Sequence, residues 1–177
     1  VDGFRFDLMG IHDIETMNII SAALKKIDPT IFLYGEGWTA GDSPLPIEKR
    51  ALKNNAKKLN DIAVFSDDIR DGVKGHWANV TEKGFVSGNP NYKEVIQFGI
   101  AASTNHPQIK YDLKRGYAQF PYSDSPTKVI GYVSCHDNNT LYDKLKIVNP
   151  KATEKELAQM DKLANTIILT SQSIPFL

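Results

Sequence analysis

Cysteine is nearly absent. Cys135 is the only one among 177 residues, so no disulfide can close within the chain, and the redox compartment stays open. Long apolar runs are missing as well. Nothing approaches the roughly 20 consecutive apolar residues of a membrane-spanning helix, which argues against a membrane partner, and no secretory leader pattern is visible. Neither sign of charge is in excess: 21 Lys and Arg balance 21 Asp and Glu, without a basic block. A nucleic acid or an anionic membrane is held mainly by electrostatics, so neither is expected as a partner. Internal repeats and low-complexity tracts are absent too. What is present is ordinary for a globular domain, with 41% hydrophobic and 24% charged residues and length enough for a core. The chain begins inside a strand pattern without Met, and we expect it to be a fragment of a larger protein.

Strand and helix signals alternate along the chain. Val1 to Phe6 reads as a buried strand, followed by a helix with Asp13 as N-cap and an incomplete stripe of Ile14, Met17, Leu24 and Ile27. Asp28-Pro29 stops it. Further strands are expected at Ile31–Glu36, Ile62–Phe65, Val129–Val133 and Ile174–Leu177. Helices are expected at Ala51–Leu59 and Glu94–Ala102. A capping box, Thr153 to Glu156, opens a last one. Strands separated by helices predict parallel βα units. Two connections, Asp68–Tyr92 and Thr104–Lys128, are unusually long, and such loops are usually functional.

Three segments carry chemistry. In Gly3-Phe4-Arg5-Phe6-Asp7 the period of two puts the aromatics on one face and Arg5 with Asp7 on the other. Such a pair suits an ionised, positioned carboxylate, the requirement for a covalent carbohydrate-cleaving nucleophile. A purely structural ion pair fits the segment equally well. Tyr34-Gly35-Glu36-Gly37-Trp38 ends the next strand. Its glycines would let a ligand approach Glu36 closely, and Trp38 offers a flat face for a sugar ring. Alone, this would be a solvated turn with a packing Trp. The third segment is Tyr132-Val133-Ser134-Cys135-His136-Asp137-Asn138-Asn139-Thr140. His136 and Asp137 can serve one site only if the chain has left the strand, and the Asn-Asn-Thr run supports that. His-Asp doublets, with His12-Asp13 as a second, also ligate metals in phosphohydrolases. Those enzymes place the doublet on helices, whereas His136-Asp137 follows a β run and capping explains Asp13. No metal site is therefore expected.

These segments resemble type I pullulanases, debranching members of the alpha-amylase superfamily of glycoside hydrolases. The resemblance covers nearly the whole chain, including Phe65–Gly72, Gly84–Gly88 and Arg115–Tyr117. It implies Asp7 as nucleophile, Glu36 as general acid/base and Asp137 as transition-state stabiliser, with Arg5, His136 and Trp38 binding substrate. Asp7, Glu36 (29 residues on) and Asp137 (101 further) keep the superfamily's order. The Lys-His pair that alpha-amylases more often carry beyond the nucleophile is not present, and Ser173 stands where these enzymes commonly have Gly.

The implied fold is α/β, a partial (β/α)8 barrel running from the fourth to the eighth strand, with residues 1–177 as the C-terminal half of a catalytic barrel. A complete barrel needs about 250 residues, and the superfamily's first motif, Asp-x-x-x-Asn-His, would lie upstream of Val1. The implied reaction is retaining hydrolysis of α-1,6 branches in pullulan, amylopectin and limit dextrins. An isoamylase, an α-1,4-acting neopullulanase and a non-catalytic glucan-binding fragment are the alternatives. The expected partners are an α-glucan and the missing barrel half, or a second copy joined through exposed strand edges. No cofactor is expected in this chain; a calcium requirement of the full-length protein stays open. Phe65–Gly72, Gly84–Gly88 and Arg115–Tyr117 are expected to be substrate-lining loops, and for Met9, Trp77 and Tyr117 a packing role fits equally well.

Overall fold

The computed structural model describes residues 1–177. Five short strands form one open sheet: β1 (Gly3–Phe6), β2 (Phe32–Gly35), β3 (Ile62–Phe65), β4 (Val129–Gly131) and β5 (Ile174–Pro175). Their order across the sheet is their order along the chain, and every pairing is parallel. Five helices fill the connections: α1 (Ile14–Ile27), α2 (Asp67–Lys74), α3 (Lys93–Ile100), α4 (Leu141–Val148) and α5 (Glu154–Thr170). The expected α/β class with parallel strands is what the chain adopts.

Strand alternation divides the sheet into two unlike faces. Leu33, Ile62, Val64 and Val129 turn to one side and pack with Met17 of α1 and Phe98 of α3. Tyr34, Ala63, Phe65 and Ile130 turn to the other. There the rings of Tyr34, Phe65, Tyr132 and Phe176 meet edge-on or tilted, with centroids 5.0–6.4 Å apart. Such edge contacts suit the ring quadrupole. A second apolar cluster joins Ile69 and Val73 of α2, Leu145 of α4, and Leu157 and Ile168 of α5.

The helix signals translate well. Asp13 accepts a hydrogen bond from Thr16 N–H at 2.7 Å, and Glu15 and Lys25–Lys26 sit at the ends the helix dipole favours. Thr153 and Glu156 form the expected capping box of α5. Four expectations change. β1 is not fully buried; it pairs only with β2, and Phe4 stays exposed. Residues 53–58 form a 3₁₀ turn rather than an α-helix. Lys53 and Ala56, three apart, both point inward, as a repeat of three residues per turn requires. β4 stops at Gly131 because the ladder with β5 ends there. The 68–92 connection is not plain loop: it holds α2, capped by Ser66, and 3₁₀ turns at Phe85–Ser87 and Pro90–Tyr92.

Candidate active site

The register aligns Phe6 with Gly35. The next residues, Asp7 and Glu36, therefore leave neighbouring strand ends at the same level and on the same face. Arg5, opposite Tyr34 in the ladder, shares that face and lays its guanidinium over the Phe65 ring, 5.6 Å from the centroid. One nitrogen donates to Asp7 Oδ1 at 2.9 Å and the other to Glu36 Oε1 at 2.8 Å. Burial pulls the Arg5 pKa down, but Asp7 and Glu36 more than offset it and hold the guanidinium firmly charged. Glu36 is 4% exposed, whereas the Asp7 side chain stands 68% open. The second Glu36 oxygen accepts the Leu8 N–H at 2.8 Å. To deliver that N–H, Leu8 adopts a left-handed backbone, φ 44°. This strain, of order 1–3 kcal/mol, sits directly after Asp7 and is held in place by the contacts around it. The glycines beside Glu36 have a different role from the one expected. A Cβ on Gly35 would lie 2.7 Å from the Phe6 carbonyl, and one on Gly37 2.5 Å from Lys53 N. They make room for the protein's own backbone, not for a ligand.

The chain leaves the strand before His136, as expected. Asp137 lines one small cavity together with Arg5, Glu36 and Trp38, and Phe65, Arg70, Tyr132 and Cys135 complete it. Trp38 is half-buried with its ring tilted against Phe65, 6.5 Å between centroids. His136 stays 63% exposed and meets Asp137 at 3.4 Å, but it does not line the cavity. Ligand atoms of Cys135, His136 and Asp137 lie within 4.8 Å of one another. His12 and Asp13 are not part of that group; Asp13 caps α1 and the His12 carbonyl accepts Ala51 N–H.

The whole chain aligns with the pullulanase of Bacillus subtilis strain 168 at 36% identity, spanning 23% of that relative's length. Pullulanase A of Streptococcus pneumoniae serotype 2 aligns at 34% identity, again across the whole chain and over 14% of the relative. The crystal structure of Paenibacillus barengoltzii pullulanase complexed with maltohexaose and alpha-cyclodextrin superposes with a TM-score of 0.88 at 44% identity. It covers 99% of this chain, which spans 26% of that structure. The type I pullulanase of Bacillus subtilis complexed with maltose superposes over the whole chain with a TM-score of 0.89, at 36% identity and 23% of its length. This is a type I pullulanase region. No family model matches the chain, which spans about a quarter or less of these relatives.

Behind the cavity, the pullulanase region holds a buried ionic network that sequence reading missed. Lys53 Nζ donates to Asp67 and, at 2.8 Å, to Asp68, while its ammonium lies over the Tyr117 and Tyr122 rings. Burial works against the Lys53 charge, and the two carboxylates outweigh it, so its pKa rises. Burial pushes the Asp67 carboxyl up despite Lys53. Lys114, fully buried, faces Asp68 from 3.5 Å. Arg70 donates to Asp71 at 2.6 Å and to the Tyr132 hydroxyl at 2.8 Å. The segment Phe65–Gly72 entered the sequence reading only through the resemblance. Its run of charges, Asp67, Asp68, Arg70 and Asp71, was the available signal, and most of its partners are remote in sequence. Of the three residues for which packing fitted equally well, Met9 is buried, whereas Trp77 and Tyr117 are 48% and 40% exposed.

Proposed function

We propose that this chain is the catalytic part of a retaining α-glucan debranching hydrolase, supplying the fourth to eighth strands of a (β/α)8 barrel. Five parallel strands in chain order suit that arrangement, with the aromatic face turned to the barrel interior. The carrying observation is the Arg5 fork, which ties Asp7 and Glu36 to one guanidinium at adjacent strand ends. Two carboxylates joined through one guanidinium on one face suit retention, in which one of the pair attacks the sugar directly. The α-glucan substrate agrees with the maltohexaose and maltose complexes of the relatives.

Asp7, open to solvent, attacks the anomeric carbon of an α-1,6-linked branch. Glu36 protonates the leaving oxygen and then takes a proton from the water that releases the sugar. Both Glu36 oxygens accept donors in this structure. Each oxygen keeps a second lone-pair site, and the proton that Glu36 delivers occupies one of these. Asp137 on the cavity wall, with His136 beside it, favours the positively charged transition state. Trp38 supplies an apolar wall. These steps use side chains and water alone.

The test is made in the full-length protein. Asp7→Ala is expected to abolish release of reducing sugar from pullulan while glucan binding persists, because the lost interaction belongs to the transition state. NMR of the first-formed product should show the α anomer. An initial β anomer, or full activity of Asp7→Ala, would refute the assignment.

A further inference from the structure

Outside the carboxylate cavity, His76, Trp77 and Tyr117 form an aromatic ledge. The His76 ring lies between the other two, 6.2 Å from Trp77 at an interplanar angle of 20° and 5.7 Å from Tyr117. Exposed aromatics usually lose rotamer freedom when they bind, yet this ledge is fixed beforehand by buried charge. Asp71, 4% exposed, accepts from Arg70 at 2.6 Å, from the Tyr117 hydroxyl at 2.6 Å and from the Trp77 backbone N–H at 3.3 Å. The Tyr117 hydroxyl also meets His76 Nε2 at 3.0 Å. Lys144, 2% exposed, reaches out of α4 to the carbonyls of His76 and Asn79. Two otherwise unrelated buried charged groups thus hold the backbone around Trp77, while its ring stacks on His76.

We propose that this ledge is a second α-glucan binding surface, taking glucose units of a chain that extends beyond the carboxylate cavity; it rests on the glucan reading of that cavity. A pyranose offers an apolar C–H face to stack on a ring and hydroxyls that both donate and accept. The ledge matches both needs. Trp77 presents the ring, and its neighbours His76 and Tyr117 line a depression together with Tyr92, Arg115, Asp68 and Asp71. Its mixed polarity does not suit a purely apolar or a strongly charged partner. Position supports the assignment too. Lys74, at the end of α2, donates to the Asn139 carbonyl at 3.1 Å, two residues after Asp137. The ledge therefore lies beside the turn that carries Asp137, itself one wall of the cavity.

The experiment uses the full-length protein made inactive by Asp7→Ala, titrated calorimetrically with maltotriose and maltohexaose. Adding Trp77→Ala is expected to weaken maltohexaose by about tenfold, and maltotriose by much less, because the shorter sugar does not reach the ledge. Trp77→Phe should restore most of the loss. Equal maltohexaose affinity with and without the Trp77 ring, in variants of unchanged melting temperature, would overturn the proposal. An equal loss for both sugars would also overturn it, since the ring would then act through the cavity. Pullulan hydrolysis by the parent is measured alongside. A parent inert on pullulan would refute the cavity's function, whereas an active parent with Trp77-independent maltohexaose binding would remove the ledge alone.

Discussion

Arg5 sets one planar guanidinium between two carboxylates, and a lysine cannot reproduce that geometry. Its ammonium is a point charge on a flexible stem, so Arg5→Lys keeps the charge but loses the fork. In the full-length protein this substitution is expected to lower kcat on pullulan by about 10²-fold, the usual penalty for misplacing reacting groups by an ångström. A loss below fivefold would show that the fork is not what positions the pair. Glu36→Gln should be crippled on pullulan, yet much less so on an aryl glycoside whose leaving group needs no proton. Ser173 supports a prediction of the opposite sign. Its hydroxyl is buried without a partner, packed where a Cβ on Gly131 would lie 2.3 Å away. Ser173→Ala should therefore raise stability by about 1 kcal/mol in denaturant titration. At this scale the sequence was legible where neighbours cooperate, as in Arg5 with Asp7. It was misleading at Gly35 and Gly37, because the backbone that approaches them comes from Phe6 and Lys53, which no local pattern announces.

Helices with apolar stripes or caps, α1 and α5, could be read directly from spacing. α2 could not, because most of its inward positions are charged: Asp68, Arg70, Asp71 and Lys74 are all buried. Their partners lie far along the chain, at Lys53, Lys114, Tyr132 and Asn139. Lys74 gives this element a pH signature. Burial, with Arg70 adding repulsion, lowers its pKa to about 8. A lowered lysine pKa means that the unfolded chain binds more protons between about pH 8 and the ordinary value near 10.5. Stability contributed by this group is therefore lowest below pH 8 and rises across that window. Lys74→Met should stabilise the protein by about 1–3 kcal/mol at pH 7, and the gain should fade by about pH 10.5. The buried Tyr122 works in reverse. Burial pushes its phenol to about 12, so its contribution is complete below pH 10 and is lost as pH climbs through 12. Melting temperatures of the two proteins, measured from pH 6 to 11, would separate these effects; a gain independent of pH would contradict the burial cost assigned to Lys74.

Across the whole molecule, β1 and β5 each have one side without a strand partner. Such edges invite pairing with another chain, and Phe4 on β1 adds exposed apolar surface. Purified residues 1–177 are expected to self-associate and to lack pullulan hydrolysis; a monomeric, pullulan-cleaving species in light scattering and reducing-sugar assays would contradict this. Parallel topology was legible from the alternation of strand and helix signals, and Asp7 and Glu36 could be expected at adjacent strand ends. The cross-links between layers were not, since long-range ion pairs leave no periodic trace. The strand order has one more consequence, which concerns time. Each strand pairs with the one synthesised before it, from β1 through β5. A ribosome releases roughly 5–20 residues per second, so the sheet can lengthen by one strand every few seconds, with no earlier pairing to undo. The carboxylate pair would then be in place once β2 has emerged, while Asp137 would join it only after a further hundred residues of translation.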